Sequence, residues 1–362
     1  MQESEIKMEK KTVAVIFGGY SPEYDVSLKS SYSIIKAIDQ EMYELILLGI
    51  DRQGKWFRYY GDVENIPCDK WWHNTQLLKS AFISPERGSG LLEVADGRVR
   101  TVSLDIVFPV LHGRYGEDGT IQGLCELAGI PVVGSGSAAS ALCIDKDIAH
   151  RLVSLAGIRV PKTVRLDHAL SSEELHSSLH GFSFPLIVKP VKSGSSFGIS
   201  MIDKLEDLVG AVNDAFMFDD AVLLEESIDG FECGCAVVGN NRLITGRIDE
   251  IELADGIFTY EEKYSPKTSK IHMPARIDED TERRLQKTAL YVYRLLGCRG
   301  YARVDFFLTK NNEIVFSEIN TIPGFTAHSR FAKMVGGIDI EYPELVDMLI
   351  ALSIEAKNNI TI

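Results

Sequence analysis

Apolar positions along the chain fall into short runs and helical repeats that alternate from the N-terminus onward. Apolar runs at residues 12–17 and 43–50 predict buried strands, and the apolar spacing of residues 26–38 predicts a helix between them. A Gly18-Gly19 turn joins the first strand to this helix. Strand, glycine turn and helix in this order indicate the start of an α/β domain.

The alternation continues through the rest of the chain. Further strands are predicted at residues 104–111, 184–190, 222–226 and 232–238, and further helices at 146–156, 279–296 and 343–356. Residues 51–100 give no clear assignment, and the weak periodicity of residues 250–275 is typical of an irregular cover over a site. We predict a charged tail at 1–10, an N-terminal domain at 11–137, a central subdomain at 138–227 and a C-terminal subdomain at 228–362.

Two strands near the C-terminus are predicted to form a hairpin with Asn311-Asn312 as a two-residue turn. That turn places Lys310 opposite Glu313, Asp305 opposite Glu318 and Arg303 opposite Asn320. Because side chains alternate between the faces of a strand, the last four residues share one face. The opposite face is an apolar core face with Ser317 as its polar exception: Val304, Phe306, Leu308, Val315 and Ile319.

The polar face of this hairpin predicts a metal site. Two acids directly opposite each other on a sheet repel, and a cation between them removes the conflict. Asp305, Glu318 and Asn320 offer the hard oxygen ligands that suit Mg²⁺, with phosphate oxygens completing the shell. The alternative is a solvated strand face on which Arg303 neutralises Asp305. Four polar groups backed by an apolar face favour magnesium.

Charge and composition exclude several classes of protein. The 362 residues carry a net charge of −14 with a pI of about 5.1, which argues against a general binder of nucleic acid or of anionic membranes. Cys233 and Cys235 lack a second pair at zinc spacing and are expected to pack in the core. The N-terminus lacks the apolar segment of a signal peptide, so we expect a cytoplasmic protein.

Several polar stretches between these elements are candidates for ligand binding. The glycine–serine loop at residues 192–198, following Lys189, offers backbone N–H groups and cations to phosphate, although a flexible connector is the alternative. Glu225 and Glu226 at a strand end can accept from the amino group and ribose of a nucleotide, or form a solvated edge. Lys263 and Tyr264 offer a cation for phosphate and an orienting phenol.

Two loops add candidate groups for a substrate. His112 lies at a strand end, where α/β proteins bind ligands. In the loop after the hairpin, Gly324 allows close approach to a ligand and its N–H can serve an oxyanion, while Ser329 and Arg330 can bind a carboxylate. The alternative is a simple turn into a helix.

Taken together and in this order, the motifs resemble the ATP-grasp D-alanine–D-alanine ligases over almost the whole chain after residue 10. The motifs are EDGTIQG at 117–123, Asp145-Lys146, GIRVP at 157–161, VKP around Lys189, SGSSFG at 193–198, EKY at 262–264, GYARVDF at 300–306 and EINTIPGFTAHS at 318–329. The resemblance implies three α/β domains, the first Rossmann-like, with ATP held between the other two, and it implies a homodimer.

The resemblance also assigns roles to residues. It implies phosphate contacts for Lys146, Lys189, Ser196 and Lys263, an adenine pocket of Glu225, Glu226 and Ile228, and a ribose contact for Glu232. It implies two Mg²⁺ ions, with Mn²⁺ as an alternative, on Asp305, Glu318 and Asn320.

The family chemistry has two steps. ATP phosphorylates the carboxylate of a first D-alanine, and the amine of a second amino acid then attacks the acyl phosphate. The resemblance implies that Arg303 and the Gly324 N–H stabilise the oxyanion, and that Ser195 and Tyr264 join a glutamate that binds the first ammonium group. We aligned that glutamate with Asp25, one methylene shorter.

Arg330 stands where most of these ligases carry leucine, and the chain resembles the D-alanine–D-serine ligases of vancomycin resistance in this respect. Lys263 and Tyr264 argue against a D-lactate ligase. We therefore expect a D-Ala–D-Ser ligase, with a D-Ala–D-Ala ligase and a non-catalytic nucleotide-binding regulator as the alternatives.

Overall fold

The computed structural model describes residues 10–194, 197–252 and 269–358, which form three β-sheets covered by helices. The first sheet has seven strands in the order β6-β5-β4-β3-β2-β1-β7. Its strands are β1 (Lys11–Gly18), β2 (Tyr43–Ile50), β3 (Trp56–Tyr59), β4 (Leu78–Ile83), β5 (Leu91–Ala95), β6 (Arg98–Val102) and β7 (Ile106–Pro109). The α/β class predicted from the sequence is confirmed.

The centre of the first sheet is parallel, and its edge is an antiparallel meander. β1 pairs in parallel with β2 and β7, while β3 to β6 continue outward as antiparallel neighbours. The meander occupies the stretch that gave no clear prediction. The helices of this region are α1 (Tyr24–Ala37), α2 (Thr120–Ala128) and α3 (Ser137–Ile144).

The second sheet has four antiparallel strands in the order β10-β9-β11-β8. The strands are β8 (Thr163–Leu166), β9 (Leu186–Pro190), β10 (Ser200–Ile202) and β11 (Val222–Glu226), and the helices are α4 (Lys146–Leu155), α5 (Ser172–Ser178) and α6 (Leu205–Phe216). The Asp145 side chain caps α4, because it accepts from the Ile148 N–H at 3.0 Å.

The third sheet has five antiparallel strands in the order β14-β13-β12-β15-β16. The strands are β12 (Gly230–Gly239), β13 (Leu243–Glu252), β14 (Lys270–His272), β15 (Tyr301–Thr309) and β16 (Ile314–Asn320), and the helices are α7 (Glu279–Leu295), α8 (Arg330–Gly336) and α9 (Tyr342–Asn358). Cys233 and Cys235 on β12 are fully buried, which confirms their expected place in the core.

The hairpin of β15 and β16 has the predicted pairing at its functional end and a different turn. Asp305 pairs with Glu318 and Arg303 with Asn320, as predicted. The turn is one residue longer than predicted, because Thr309 hydrogen-bonds Glu313 across residues 310–312, and so Lys310 does not face Glu313.

A β-bulge at Ser317 restores the register between Asp305 and Phe306. On the turn side of this bulge, Phe306 pairs with Phe316 and Phe307 with Val315. Phe316 therefore packs against Phe306 in the core, and Val315, which was predicted for the core face, is also fully buried.

None of the helices in the described ranges combines the length and the apolar character needed to cross a bilayer.

Candidate active site

A cleft of about 410 Å³ opens where loops of the first sheet meet the hairpin of the third. It brings together described residues that the sequence predicted for the substrate, for the oxyanion and for the metal. They are His112, Arg303, Glu318, Asn320, Gly324, Ser329 and Arg330.

The hairpin holds the acids of the cleft in place. Asp305 is almost fully buried, and Arg303 donates to it through Nε at 2.8 Å and Nη2 at 2.7 Å. Asn320 Nδ2 donates to the same carboxylate at 2.9 Å. The ion pair between Arg303 and Asp305 is thus present, as the alternative interpretation of this face required.

The donor chemistry of this face still fits magnesium. Glu318 and Asn320 line the cleft beside the Asp305 carboxylate, and carboxylate and amide oxygens are the ligands that Mg²⁺ prefers. Across the ranges that the structure describes, no three His, Cys, Asp or Glu side chains converge as a closed metal cage. Asp305, Glu318 and Asn320 would therefore hold a magnesium ion only together with oxygens of a ligand such as nucleotide phosphates.

The two lysines predicted to contact phosphate, Lys146 and Lys189, are both buried. Lys146 Nζ, at the start of α4, donates to the Ser193 carbonyl at 2.8 Å and lies 3.3 Å from Glu318. Lys189 Nζ, near the end of β9, donates to Glu225 at 2.8 Å. Each buried ammonium group is thus paired with a carboxylate, as the burial of a charge requires.

The residues assigned to adenine and ribose lie at the ends of β11 and β12. Glu226 is 3.6 Å from Arg159, and Ile228 is half-buried. Glu232 accepts from Arg330 Nη1 at 3.0 Å. Glu232, which the resemblance assigns to the ribose, therefore hydrogen-bonds Arg330, which was assigned to the second amino acid.

His112 lines the cleft as a neutral side chain, and hydrogen bonds at both ring nitrogens fix its position. Its Nδ1 lies 3.0 Å from the Ile322 carbonyl and its Nε2 lies 3.2 Å from Ser30 Oγ. Burial lowers the pKa of His112 to about 4, and the Ile322 carbonyl only partly opposes this. Since a carbonyl can only accept, Nδ1 carries the hydrogen and Nε2 accepts from the Ser30 hydroxyl.

Asp25, which was predicted to bind the first ammonium group, lies outside the cleft. Its side chain is 54% exposed and pairs with Arg52 at 2.6 Å, outside the cleft. The physical reason is the helix: α1 buries Tyr24, Val26 and Leu28, so residue 25 points to solvent.

Glu23 replaces Asp25 as the acid that α1 presents to the cleft. It precedes the first turn of α1, is 7% exposed and lines the cleft directly. A Cβ at Gly194 would lie 2.8 Å from Glu23 Oε2, so the glycine–serine loop approaches this carboxylate too closely for any side chain. The helical periodicity of α1 is the sequence signal that could have excluded Asp25 and left Glu23.

Glu117 is a second acid that sequence reasoning did not assign. It accepts from the Gly113 N–H at 2.7 Å. Burial and the nearby Glu23 raise its pKa to about 8. The cleft therefore has an acidic side near Glu23 and a basic side near Arg303 and Arg330.

The loop after the hairpin presents Gly324 and Ser329. A Cβ at Gly324 would meet only Ser329 Oγ at 3.5 Å, an ordinary contact, so the protein itself leaves room for a side chain there. Ser329 Oγ accepts from the Thr326 N–H at 2.9 Å.

Arg330 is fixed from behind by a buried acid. Its Nε and Nη2 donate to Asp249 on β13 at 2.6 and 2.8 Å, and Asp249 is fully buried. Burial alone would lower the pKa of the guanidinium, but Asp249 and Asp305 reverse this and raise its pKa well above the usual value. Sequence reasoning missed Asp249, which no motif marks.

Four assigned residues lie outside the described residues: Ser195, Ser196, Lys263 and Tyr264.

Known proteins match this chain along almost its whole length. Two family profiles match, "D-ala D-ala ligase N-terminus" over residues 12–135 and "D-ala D-ala ligase C-terminus" over residues 152–351. A D-alanine–D-alanine ligase of Caldicellulosiruptor bescii is 41% identical over 96% of each chain. Vancomycin C-type resistance protein VanC2 of Enterococcus casseliflavus is 40% identical over 95% of this chain and 99% of that one.

A solved structure is similar in both sequence and shape. The VanG D-Ala:D-Ser ligase from Enterococcus faecalis superimposes with a TM-score of 0.87 at 48% identity, covering 95% of this chain and 100% of that one. The α/β architecture with its three sheets is thus the ATP-grasp fold that the resemblance implied. The chain belongs to the D-alanine–D-alanine ligase family of ATP-dependent carbon–nitrogen ligases.

Proposed function

We propose that this enzyme joins D-alanine to D-serine through a D-alanyl phosphate, with release of ADP, to make peptidoglycan precursors that confer vancomycin resistance. The observation that carries the proposal is Arg330, held in the cleft by Asp249. The similarity to the VanG D-Ala:D-Ser ligase supports it. The alternative is a D-alanine–D-alanine ligase of normal cell-wall synthesis. The relative from C. bescii carries the name D-alanine–D-alanine ligase.

The geometry of Arg330 suits a hydroxyl group. A guanidinium has five N–H donors, and three of them are used by Asp249 and Glu232. Arg330 Nη2 also lies 3.5 Å from Asp305 Oδ1, so the second donor of Nη1 is the one left to meet the hydroxyl of D-serine, and a methyl group would leave it unpaired in the cleft. A polar site discriminates strongly against a substrate that lacks its partner.

Each group of residues in and beside the cleft has a separate role in the proposed reaction. Glu23 binds the ammonium group of the first D-alanine, and Lys146 and Lys189 bind phosphate oxygens. Arg303 and the Gly324 N–H stabilise the oxyanion that forms when the second amine attacks. Asp305, Glu318 and Asn320 would hold two Mg²⁺ ions, or Mn²⁺, which neutralise charge on the transferring phosphoryl group when bound.

A paired substitution tests the role of Arg330. Arg330→Leu alone would leave Asp249 as an unpaired buried charge, so we expect a loss of stability of about 3–5 kcal/mol. The double variant Asp249→Asn, Arg330→Leu removes that charge and should recover most of the stability. Its preference for D-Ser over D-Ala should fall by roughly 10- to 100-fold, measured as the ratio of kcat/KM values for the second substrate.

Arg283→Leu, at an exposed arginine of α7, is the matched control and should leave the ratio unchanged. An unchanged ratio in a stably folded double variant would remove Arg330 from substrate selection.

We also propose that the enzyme is a cytoplasmic homodimer and that its domains meet near residues 137 and 227. Sedimentation analysis of the purified protein tests the dimer, and a monomer at micromolar concentration would contradict it.

A further inference from the structure

The β-bulge at Ser317 is held from outside the hairpin by helix α4 and the segment that follows it. β16 is an edge strand of the third sheet, and its Ser317 carbonyl oxygen lies 2.6 Å from His150 Nε2 on α4. The neighbouring Phe316 N–H donates to the Arg159 carbonyl at 2.9 Å. Backbone groups that an edge strand would otherwise leave unpaired therefore have partners here.

His150 is the donor of this contact, and its ring is fixed. Since a carbonyl oxygen can only accept, Nε2 carries the hydrogen. The residue is 2% exposed, and its ring lies edge-on to the Phe316 ring with the two centroids 5.8 Å apart. The other ring nitrogen, Nδ1, is 3.9 Å from Glu225 Oε2, beyond hydrogen-bonding distance. The buried ring has little freedom, so the Ser317 carbonyl that it binds is fixed with it.

Helix α4 thus holds two consecutive residues of β16. Lys146 Nζ lies 3.3 Å from Glu318 Oε2, and His150, four residues later on the same face of the helix, holds Ser317. Ser317 is the residue left out of the pairing, and this omission restores the register in which Glu318 faces Asp305. A slip of one residue at the bulge would turn the Glu318 side chain to the other face of the sheet.

We propose that His150 is a positioning residue for the magnesium site, because its Nε2–H fixes the bulge that keeps Glu318 beside Asp305. The inference rests on the proposed role of these two acids as metal ligands. A group that orients a metal ligand without touching the ion typically changes metal affinity by roughly 10- to 100-fold.

The test isolates the contribution of the metal to nucleotide binding. Calorimetry gives the dissociation constant of ADP with excess Mn²⁺ and with EDTA, in the absence of amino acids, so neither turnover nor the second substrate affects the result. Contacts to the nucleotide alone cancel in the ratio of the two constants. His150→Gln keeps an N–H donor near the position of Nε2, whereas His150→Met has a side chain of the same length without the donor. We expect the tightening of ADP binding by Mn²⁺ to fall about tenfold in the methionine variant and less than about twofold in the glutamine variant.

Val153→Ala, at a fully buried position of the same helix, is the matched control for lost packing. It should lower the melting temperature and leave the ratio unchanged. His150→Ala also lacks the donor and replaces the methionine variant in the comparison if methionine prevents folding. Equal ratios in the variants with and without the donor overturn the positioning role. If the unmodified enzyme binds ADP no more tightly with Mn²⁺ than with EDTA, the proposed metal site is itself wrong and this inference is lost with it.

Discussion

At the scale of single residues, the cleft depends on charged groups that are fixed by buried partners. Arg330, held by the buried Asp249, is the clearest case. Glu23 is itself buried at the start of α1 beside Gly194, while Asp25 turns to solvent. A carboxylate in this position can bind an ammonium group, and its amide cannot offer the same charge.

Glu23→Gln should therefore lower kcat/KM for the first D-alanine by roughly 10- to 100-fold, the value of one charged hydrogen bond. Asp25→Asn should change it less than about twofold, because an exposed ion pair is worth little. Steady-state kinetics at saturating second substrate measures both. Equal losses in the two variants would restore Asp25 as the candidate.

The sequence contained enough information to choose between these two acids. The buried positions of α1 are Tyr24, Val26, Leu28 and their helical neighbours, and this periodicity excludes Asp25 from the inner face. Alignment by motif spacing alone led to the wrong residue. Asp249 is different, because nothing near it in the sequence indicates that β13 brings it behind Arg330.

At the scale of elements, the hairpin positions the acids through two irregularities that offset each other. A three-residue turn moves the register by one, and the bulge at Ser317 moves it back. The assumed two-residue turn predicted the correct pairing of Asp305 with Glu318 because the two irregularities cancel, and neither of them was visible in the sequence. The antiparallel meander β3 to β6 was missed for a related reason, since its outermost strand β6 is largely exposed and carries little apolar signal.

The turn depends on Asn312, which adopts a left-handed conformation with φ of 58°. Asparagine tolerates this region, and a β-branched residue does not. Asn312→Val should destabilise the protein by about 1–2 kcal/mol, while Asn312→Gly should be neutral or slightly stabilising. Urea unfolding of both variants measures this. Should valine cost no more than glycine, the left-handed turn is absent in solution.

At the scale of the whole molecule, the C-terminal helix joins the ends of the chain. Leu345, Val346, Leu349 and Ile350 of α9 are fully buried in one cluster with β1 and α1. Tyr43 on β2 donates to Asp347 of the same helix at 2.7 Å. Helix α9 therefore holds β1, α1 and β2 together on the side of the molecule away from the cleft.

Leu349→Ala should destabilise the protein by about 2–5 kcal/mol through the lost contacts and the cavity that remains. The reason is that Leu349 is fully buried where the two ends of the chain meet. Thermal unfolding followed by circular dichroism measures this, with the exposed Ala351→Gly in the same helix as the control for helix propensity. A loss no larger than that of the control would mean that α9 is detached in solution.

The identity of the product tests the central claim most directly. The purified enzyme is given ATP, magnesium and an equimolar mixture of D-alanine and D-serine, and the dipeptides are identified by mass spectrometry. Because Arg330 offers donors to a hydroxyl group, we expect D-alanyl-D-serine to be the main product. Predominance of D-alanyl-D-alanine would contradict it and identify the enzyme as a ligase of normal cell-wall synthesis.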